Sequence, residues 1–160
     1  MMVRGDLIKV IRFVSLLFAG LTLGPGMAHL LAMPNKMALS EEAYKTVQMI
    51  YSGWAVLGVF QMGAILFSFL LLLLVRKTGS IFRLTLIALI CYIAAMILFF
   101  AFTYPANQQT ANWTVMPTNW LLLRLKWEYA HAVSAILEII AFILLLLAAL
   151  KKKPIKSVYR

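Results

Sequence analysis

Four ionisable side chains share one stripe near the end of the chain: Arg124, Glu128, His131 and Glu138. An α-helix turns about 100° per residue, so these four and Ala135 fall within an arc of roughly 80°. The residues between them are almost all Leu, Ile, Ala and Val. Ionisable groups on a hydrophobic helix are expensive in lipid, and they turn toward a bundle interior where they serve a function. The chemistry open to this set is proton transfer. His131 is a candidate general base oriented by Glu128, and Arg124 is a candidate stabiliser of a developing oxyanion. The structural alternative is an i,i+4 pair between Arg124 and Glu128 that ties the helix to neighbouring amides.

Glu128 and His131 also have the Glu-x-x-His spacing with which carboxylate-bridged metal bundles aim two ligands inward. The chain has two histidines. His29 lies at the depth of His131 when both are measured from the ends of their apolar runs, within roughly 5 Å. The two are expected to face one another across a shared pocket, within about 10 Å, close enough for one small ligand to touch both. Candidate metal ligands are therefore His29, His131 and Glu128 around one ion, with haem held by the two histidines as a further option. A dinuclear centre needs about four carboxylates, and the bundle offers Glu128 and Glu138 alone. Glu138 lies deeper, with no cation within a helical turn. It is a candidate anchor for something lipophilic.

The elements that must position these groups follow from composition. Sixty-four per cent of the 160 residues are hydrophobic, and the mean hydropathy is +0.93. A soluble domain runs at about 45–50% apolar. The apolar runs are continuous, which suits helices and not barrel strands. The fold class is all-α: a polytopic membrane protein, an antiparallel bundle of four transmembrane helices in a single domain, 1–160. The helices are expected at about 7–33, 40–75, 81–104 and 119–150. Pro34 is expected to end the first and Pro105 the third, because proline cannot continue the hydrogen-bond ladder. Gly24-Pro25-Gly26 interrupts the first run, and Ser40 reads as an N-cap before Glu41 and Glu42. Tyr51 and Trp54 are placed like an aromatic belt. Gly53, Gly58 and Gly63 offer thin spots for helix packing. Gln61 calls for an interhelical hydrogen bond. The amide-rich segment 105–118, with Asn107 and Trp113, reads as a lid on the bundle mouth.

The formal net charge is +10. The cations gather beside the ends of apolar runs and form no stripe among exposed aromatics, which argues against nucleic acid as a partner. Eleven of the fifteen Lys and Arg residues lie at the N-terminus, in the 76–83 turn and in the C-terminal tail. Only Lys36, Lys45, Arg124 and Lys126 lie at the other set of ends. The positive-inside rule then puts both termini in the cytoplasm, in a bacterial-type plasma (inner) membrane, with the site on the outer side. The single Cys91 sits within an apolar run, so no internal disulfide forms and the residue reads as a small hydrophobe.

Four blocks occur in a familiar order: Ala28-His-Leu-Leu-Ala-Met-Pro34-Asn-Lys-Met, Tyr44-Lys-Thr-Val-Gln48-Met-Ile-Tyr51, Pro105-Ala-Asn107, and Trp120-Leu-Leu-Leu-Arg124-Leu-Lys-Trp127-Glu128-Tyr-Ala-His131. Over roughly residues 10–150 the chain resembles the anthrone-oxygenase-like family of small four-helix membrane proteins, with the Trp-Glu-x-x-His block its most specific part. The resemblance implies oxidation of a polycyclic phenol to a quinone by dioxygen, with no dedicated cofactor expected. It makes His131 the base and Arg124, Glu128 and Asn107 its neighbours. The expected ligand is thus a lipophilic aromatic or quinone-like molecule contacting His29, Asn107, Trp127 and Glu138. The alternatives are a non-enzymatic scaffold subunit of a larger membrane complex and a small transporter, which would have to be a homo-oligomer because one bundle is a thin frame for alternating access.

Overall fold

The structure, a computed structural model, describes residues 2–151, and side chains from residue 5 onward. The tail cations Lys152, Lys153, Lys156 and Arg160 and the Arg4 side chain, counted in the charge asymmetry, lie outside the described residues. The protein is an all-α bundle with no strand among the described residues. Helix α1 spans Met2–Met37, α2 spans Glu41–Gln48, and two 3₁₀ turns, Met49–Tyr51 and Trp54–Leu57, lead into α3, Gly58–Val75. After the 76–78 turn come α4 (Gly79–Leu98), a π turn (Phe99–Thr103), α5 (Tyr104–Gln109) and α6 (Trp120–Leu150). Four stretches are long and apolar enough to cross a membrane, Gly5–Met37, Trp54–Val75, Gly79–Gln109 and Trp120–Leu150, as a multi-pass membrane protein requires. Around the bundle α1 packs on α3 and α6, and α4 packs on α3 and α6. Each long helix therefore has two neighbours and one lipid-facing side.

Both prolines expected to end a helix lie inside one. Helix α1 continues through Pro25 and Pro34 to Met37. A proline inside a helix costs about 3 kcal/mol, and the contacts of Lys36 described below offset that at Pro34. At Pro105 the chain widens instead of stopping: the Tyr104 amide bonds the Phe99 carbonyl, five residues back. The wider π turn moves the Ala101 carbonyl away from the proline ring, and the third span runs on to Gln109. Ser40 caps α2, its hydroxyl accepting from the Ala43 amide at 3.4 Å. The fourth helix stops at Leu150, where Lys151 turns extended.

The core between the four long helices is built on small residues. Ala19, Ala64, Ala88 and Ala141 are fully buried, and Ser15 bonds Ser68 across α1 and α3 at 3.1 Å. Gln61 makes the expected interhelical bond, donating to the Tyr92 carbonyl at 3.0 Å. Cys91 is buried in this core. Of the three glycines expected to thin the packing, only Gly63 does so. A Cβ there would run into the Phe18 ring, which stacks on Phe67 at 5.4 Å. Gly58 meets nothing within 4 Å, and Gly53 instead supplies the left-handed turn (φ +80°) between the two 3₁₀ segments.

Gly63→Ala is predicted to unseat Phe18 and lower stability by about 1–3 kcal/mol, the usual penalty for overpacking. Gly58→Ala should leave stability unchanged or slightly raised, since a helical alanine is favoured over glycine. Reversible unfolding of the two variants in mixed micelles checks the contrast.

Candidate functional site

One end of the bundle, where α2 and the 104–119 segment meet α1 and α6, gathers all four tryptophans with Tyr44, Tyr51, both histidines, Lys36, Arg124 and Glu128. Its centre is Glu128, 1% exposed. One carboxylate oxygen faces Lys36 Nζ at 2.8 Å, and the other accepts from the Tyr44 hydroxyl at 2.9 Å. Lys36 is itself only 2% exposed, its ammonium lying 4.9 Å from the Tyr51 ring centroid and 5.0 Å from that of Trp127. A buried pair of opposite charges holds only if its remaining bonding capacity is met. Here a phenol and two aromatic faces meet much of it. Burial, and after it the Glu128 carboxylate alongside, raise the Tyr44 phenol above its ordinary range, so Tyr44 stays protonated and donates.

This arrangement corrects two expectations. Arg124 does not pair with Glu128. Its guanidinium donates to the Leu39 carbonyl at 2.9 Å and lies over the rings of Trp120 and Tyr44, at 4.8 and 5.4 Å. Glu128 does not orient His131 either, since its two oxygens are taken by Lys36 and Tyr44. His131 Nδ1 faces the Trp127 carbonyl one turn back, at 2.8 Å. A backbone acceptor within the same helix is always at hand, and it outcompetes a carboxylate held elsewhere by a cation.

The two histidines meet. Their ring centroids are 4.2 Å apart, well inside the distance expected from equal depth. His29 is 7% exposed and is walled by Tyr51 at 4.3 Å, Trp127 at 5.0 Å and Trp54 at 5.8 Å. Tyr51 and Trp54, expected as an aromatic belt, are packing partners of His29. Trp127 also lies against His131, its ring tilted by 43° at 4.0 Å, and donates its indole N–H to Asn107 Oδ1 at 2.8 Å. Among the described residues no three His, Cys, Asp or Glu side chains converge in a way that would hold a metal ion. The expected trio His29, His131 and Glu128 is thus not a ligand set, because Glu128 is directed to Lys36.

Glu138 lies apart from this cluster, deeper in the bundle and 8% exposed. Its Oε2 occupies the space a side chain on Gly26 would need, 2.7 Å from where the Cβ would be.

The 104–119 segment covers the cluster by an unusual route. Ala111, Asn112 and Trp113 are all left-handed, with φ of 45°, 56° and 65°. Each such non-glycine residue costs roughly 1–2 kcal/mol. The strain is held by the Asn112 amide on the Asn107 carbonyl (2.7 Å), the Val115 amide on the Thr110 carbonyl (3.0 Å) and the Trp113 amide on Thr110 Oγ1 (3.0 Å). The outcome is a buried Trp113 packed edge-on against Tyr44 and Trp127, at 5.1 and 5.8 Å.

Six members were not picked out on the sequence as site residues: Lys36, Tyr44, Tyr51, Trp54, Trp113 and Trp120. The signal for Lys36 was present. Ser15, Ala19, Thr22, Gly26 and His29 form one stripe of α1, and Lys36 continues it two turns beyond His29. Two open clefts have no cluster residue in their walls: one of about 450 Å³ is lined by Ile65, Ile93, Met96, Ile97, Phe100 and Ala101. The other, of about 520 Å³, lies between Glu41, Glu42 and Lys45 and the covering segment's Thr114, Val115 and Met116. No known protein family, curated protein or solved structure matches the chain.

Removing one partner from a buried pair strands the other charge. Lys36→Met and Glu128→Gln are each predicted to lower stability by about 3–5 kcal/mol. The double variant should lose clearly less than the sum, and a double-mutant unfolding cycle measures that coupling.

Proposed function

We propose that the protein binds a lipophilic aromatic or quinone-like molecule at the aromatic end of the bundle and oxidises it with dioxygen. The observation that carries this reading is the 2.8 Å contact of His131 Nδ1 with the Trp127 carbonyl. A carbonyl only accepts, so Nδ1 carries the hydrogen and Nε2 keeps its lone pair. A fixed, half-buried imidazole with a free Nε2 beside aromatic rings suits a general base acting on a flat, apolar substrate.

The resemblance to the anthrone-oxygenase-like family supplies the substrate class. His131 Nε2 takes a proton from the ring methylene, and the electron pair moves onto the oxygen of the conjugated ring ketone. Dioxygen then adds at that carbon, and loss of water leaves a second carbonyl. The carbon gives up two hydrogens and gains one oxygen atom, while the other oxygen atom leaves as water. Lys36, over Trp127, takes the role of electrostatic stabiliser first expected of Arg124. Trp127, held by Asn107, stacks on the substrate. Access runs under the 110–119 segment, whose strained left-handed residues make opening less costly than it would be for relaxed backbone.

We further propose that both termini face the cytoplasm of a bacterial-type inner membrane, so that the site opens to the outer leaflet. The charge asymmetry supports this. The rival reading is a non-enzymatic membrane partner. It is favoured by the fact that the cluster's own side chains fill the space between them.

Organic extracts of the purified protein, analysed by mass spectrometry, are predicted to contain a lipophilic aromatic compound. His131→Ala should retain at least about ten-fold less, equivalent to about 1.4 kcal/mol of binding. Extracts holding only bulk lipid, together with a stoichiometric protein partner in the preparation, would favour the rival. For topology, in a Cys91→Ser background, Gln109→Cys should react with an impermeant thiol reagent added outside and Thr78→Cys should not. The reverse pattern would overturn the orientation.

A further inference from the structure

All four long helices contribute to a second polar layer, one turn deeper than the histidines. The Cβ position of Gly26 on α1 lies 3.4 Å from that of Ala135 on α6, which sets those two residues level. Glu138, one turn further along α6, leans back toward Ala135, as helical side chains lean toward their own N-terminus. Its carboxyl therefore ends in the Gly26 notch. On α4, the Ala95 carbonyl accepts from Ser134 at 3.5 Å, which sets Ala95 level with Ser134. The helices are antiparallel, so Tyr92, three residues before Ala95, is level with Leu137 and within one residue's rise of Glu138. Gln61 on α3 donates to the Tyr92 carbonyl and fixes that level from the fourth side.

Two groups bordering this layer have bonding capacity that the protein does not use. The Tyr92 hydroxyl is on a residue with 0% exposure and has no hydrogen-bond partner among the described residues. His29 Nδ1, buried as well, has none either. His29 follows Gly26 by three residues, so its ring starts about 4.5 Å above the Glu138 carboxyl along the helix axis. Neither ion pair among the described residues involves Glu138. Buried polar groups without a protein partner, as the Tyr92 hydroxyl and His29 Nδ1 are among the described residues, are the usual hosts of an internal water.

We propose that the Glu138 carboxyl and the Tyr92 hydroxyl hold ordered water at the middle of the bundle, and that this water joins them by hydrogen bonds to His29 and the imidazole pair. The path moves a proton and no electrons: an imidazole N–H donates to the water, the water donates to a Glu138 oxygen, and the reverse transfer restores both. Gly26 is the positioning residue, because only the absence of a Cβ leaves the carboxyl its place. The water site stands on this chain's geometry alone. Its use as the exit for the proton taken by His131 rests on the proposed function.

The test uses the full chain in lipid nanodiscs without added ligand, so that its failure is distinct from failure to bind an aromatic. Infrared difference spectra against Glu138→Gln identify the Glu138 carboxyl band, and histidine ¹⁵N resonances report the imidazoles. The expected result is a Glu138 band that shifts in His29→Phe and in Tyr92→Phe. Water-to-protein magnetisation transfer should reach the His29 ring and be lost in Glu138→Gln. Gly26→Ala should stay folded, because the obstructing atom is the movable end of a side chain, and it should shift the same band. A Glu138 band indifferent to His29, Tyr92 and Gly26, or a His29 ring that receives no magnetisation from water, would overturn the proposal. If Tyr92→Phe fails to fold, the Gly26 and His29 variants decide it alone.

Discussion

A lysine and a glutamate removed from water hold the aromatic end of this bundle together. Lys36 and Glu128 are each nearly inaccessible, and their contact at 2.8 Å bridges the end of α1 and the head of α6. Neither charge is stable there alone, since burying an unpaired ion costs several kcal/mol. The rest of the end follows from that need. Helix α1 must continue past Pro34 to deliver Lys36. Helix α2 must lie across the mouth so that Tyr44 can supply the second bond to the carboxylate. Tyr51 and Trp127 must present their faces to the ammonium, and Trp127 is fixed in turn by Asn107. The histidine pair lies directly beneath this closed set.

The long elements and their faces were legible because lipid imposes a simple rule: apolar outside, and whatever is polar inside. The α6 stripe, the matching depth of the two histidines and the Gln61 bond came from that rule and from helical period, and the Ser40 cap came from the hydroxyl that precedes two first-turn acids. What was not legible came from contacts between distant segments. Proline punctuation argued for stops at Pro34 and Pro105. Tertiary contacts at Lys36 and a widened π turn at Phe99–Thr103 overrode it. The i,i+4 spacing of Arg124 and Glu128 suggested a pair, yet a lysine 92 positions away in sequence has the better geometry and the drier surroundings. The lid was foreseen as amide-rich, but its three left-handed residues carry no glycine to announce them.

A cluster this closely packed limits how it can serve a ligand. Its rings already touch one another, so a flat guest must displace Trp113 or slide between Trp127 and the imidazoles. The strained 111–113 backbone and the few contacts of the short α5 make the covering segment the part with least to lose on moving. In the proposed reaction dryness is useful: with water excluded, an ammonium beside a developing oxyanion acts more strongly, and a carbanion is less readily reprotonated.

In the proposed function the aromatic end takes up a flat lipophilic molecule against Trp127. The chain has four tryptophans. A variant keeping only Trp127, with the other three changed to Phe, can be titrated in nanodiscs with a substituted benzoquinone while indole fluorescence is followed. The expected result is saturable quenching that His131→Ala removes. Quenching that rises linearly with quinone in the lipid and is unchanged in His131→Ala would contradict it.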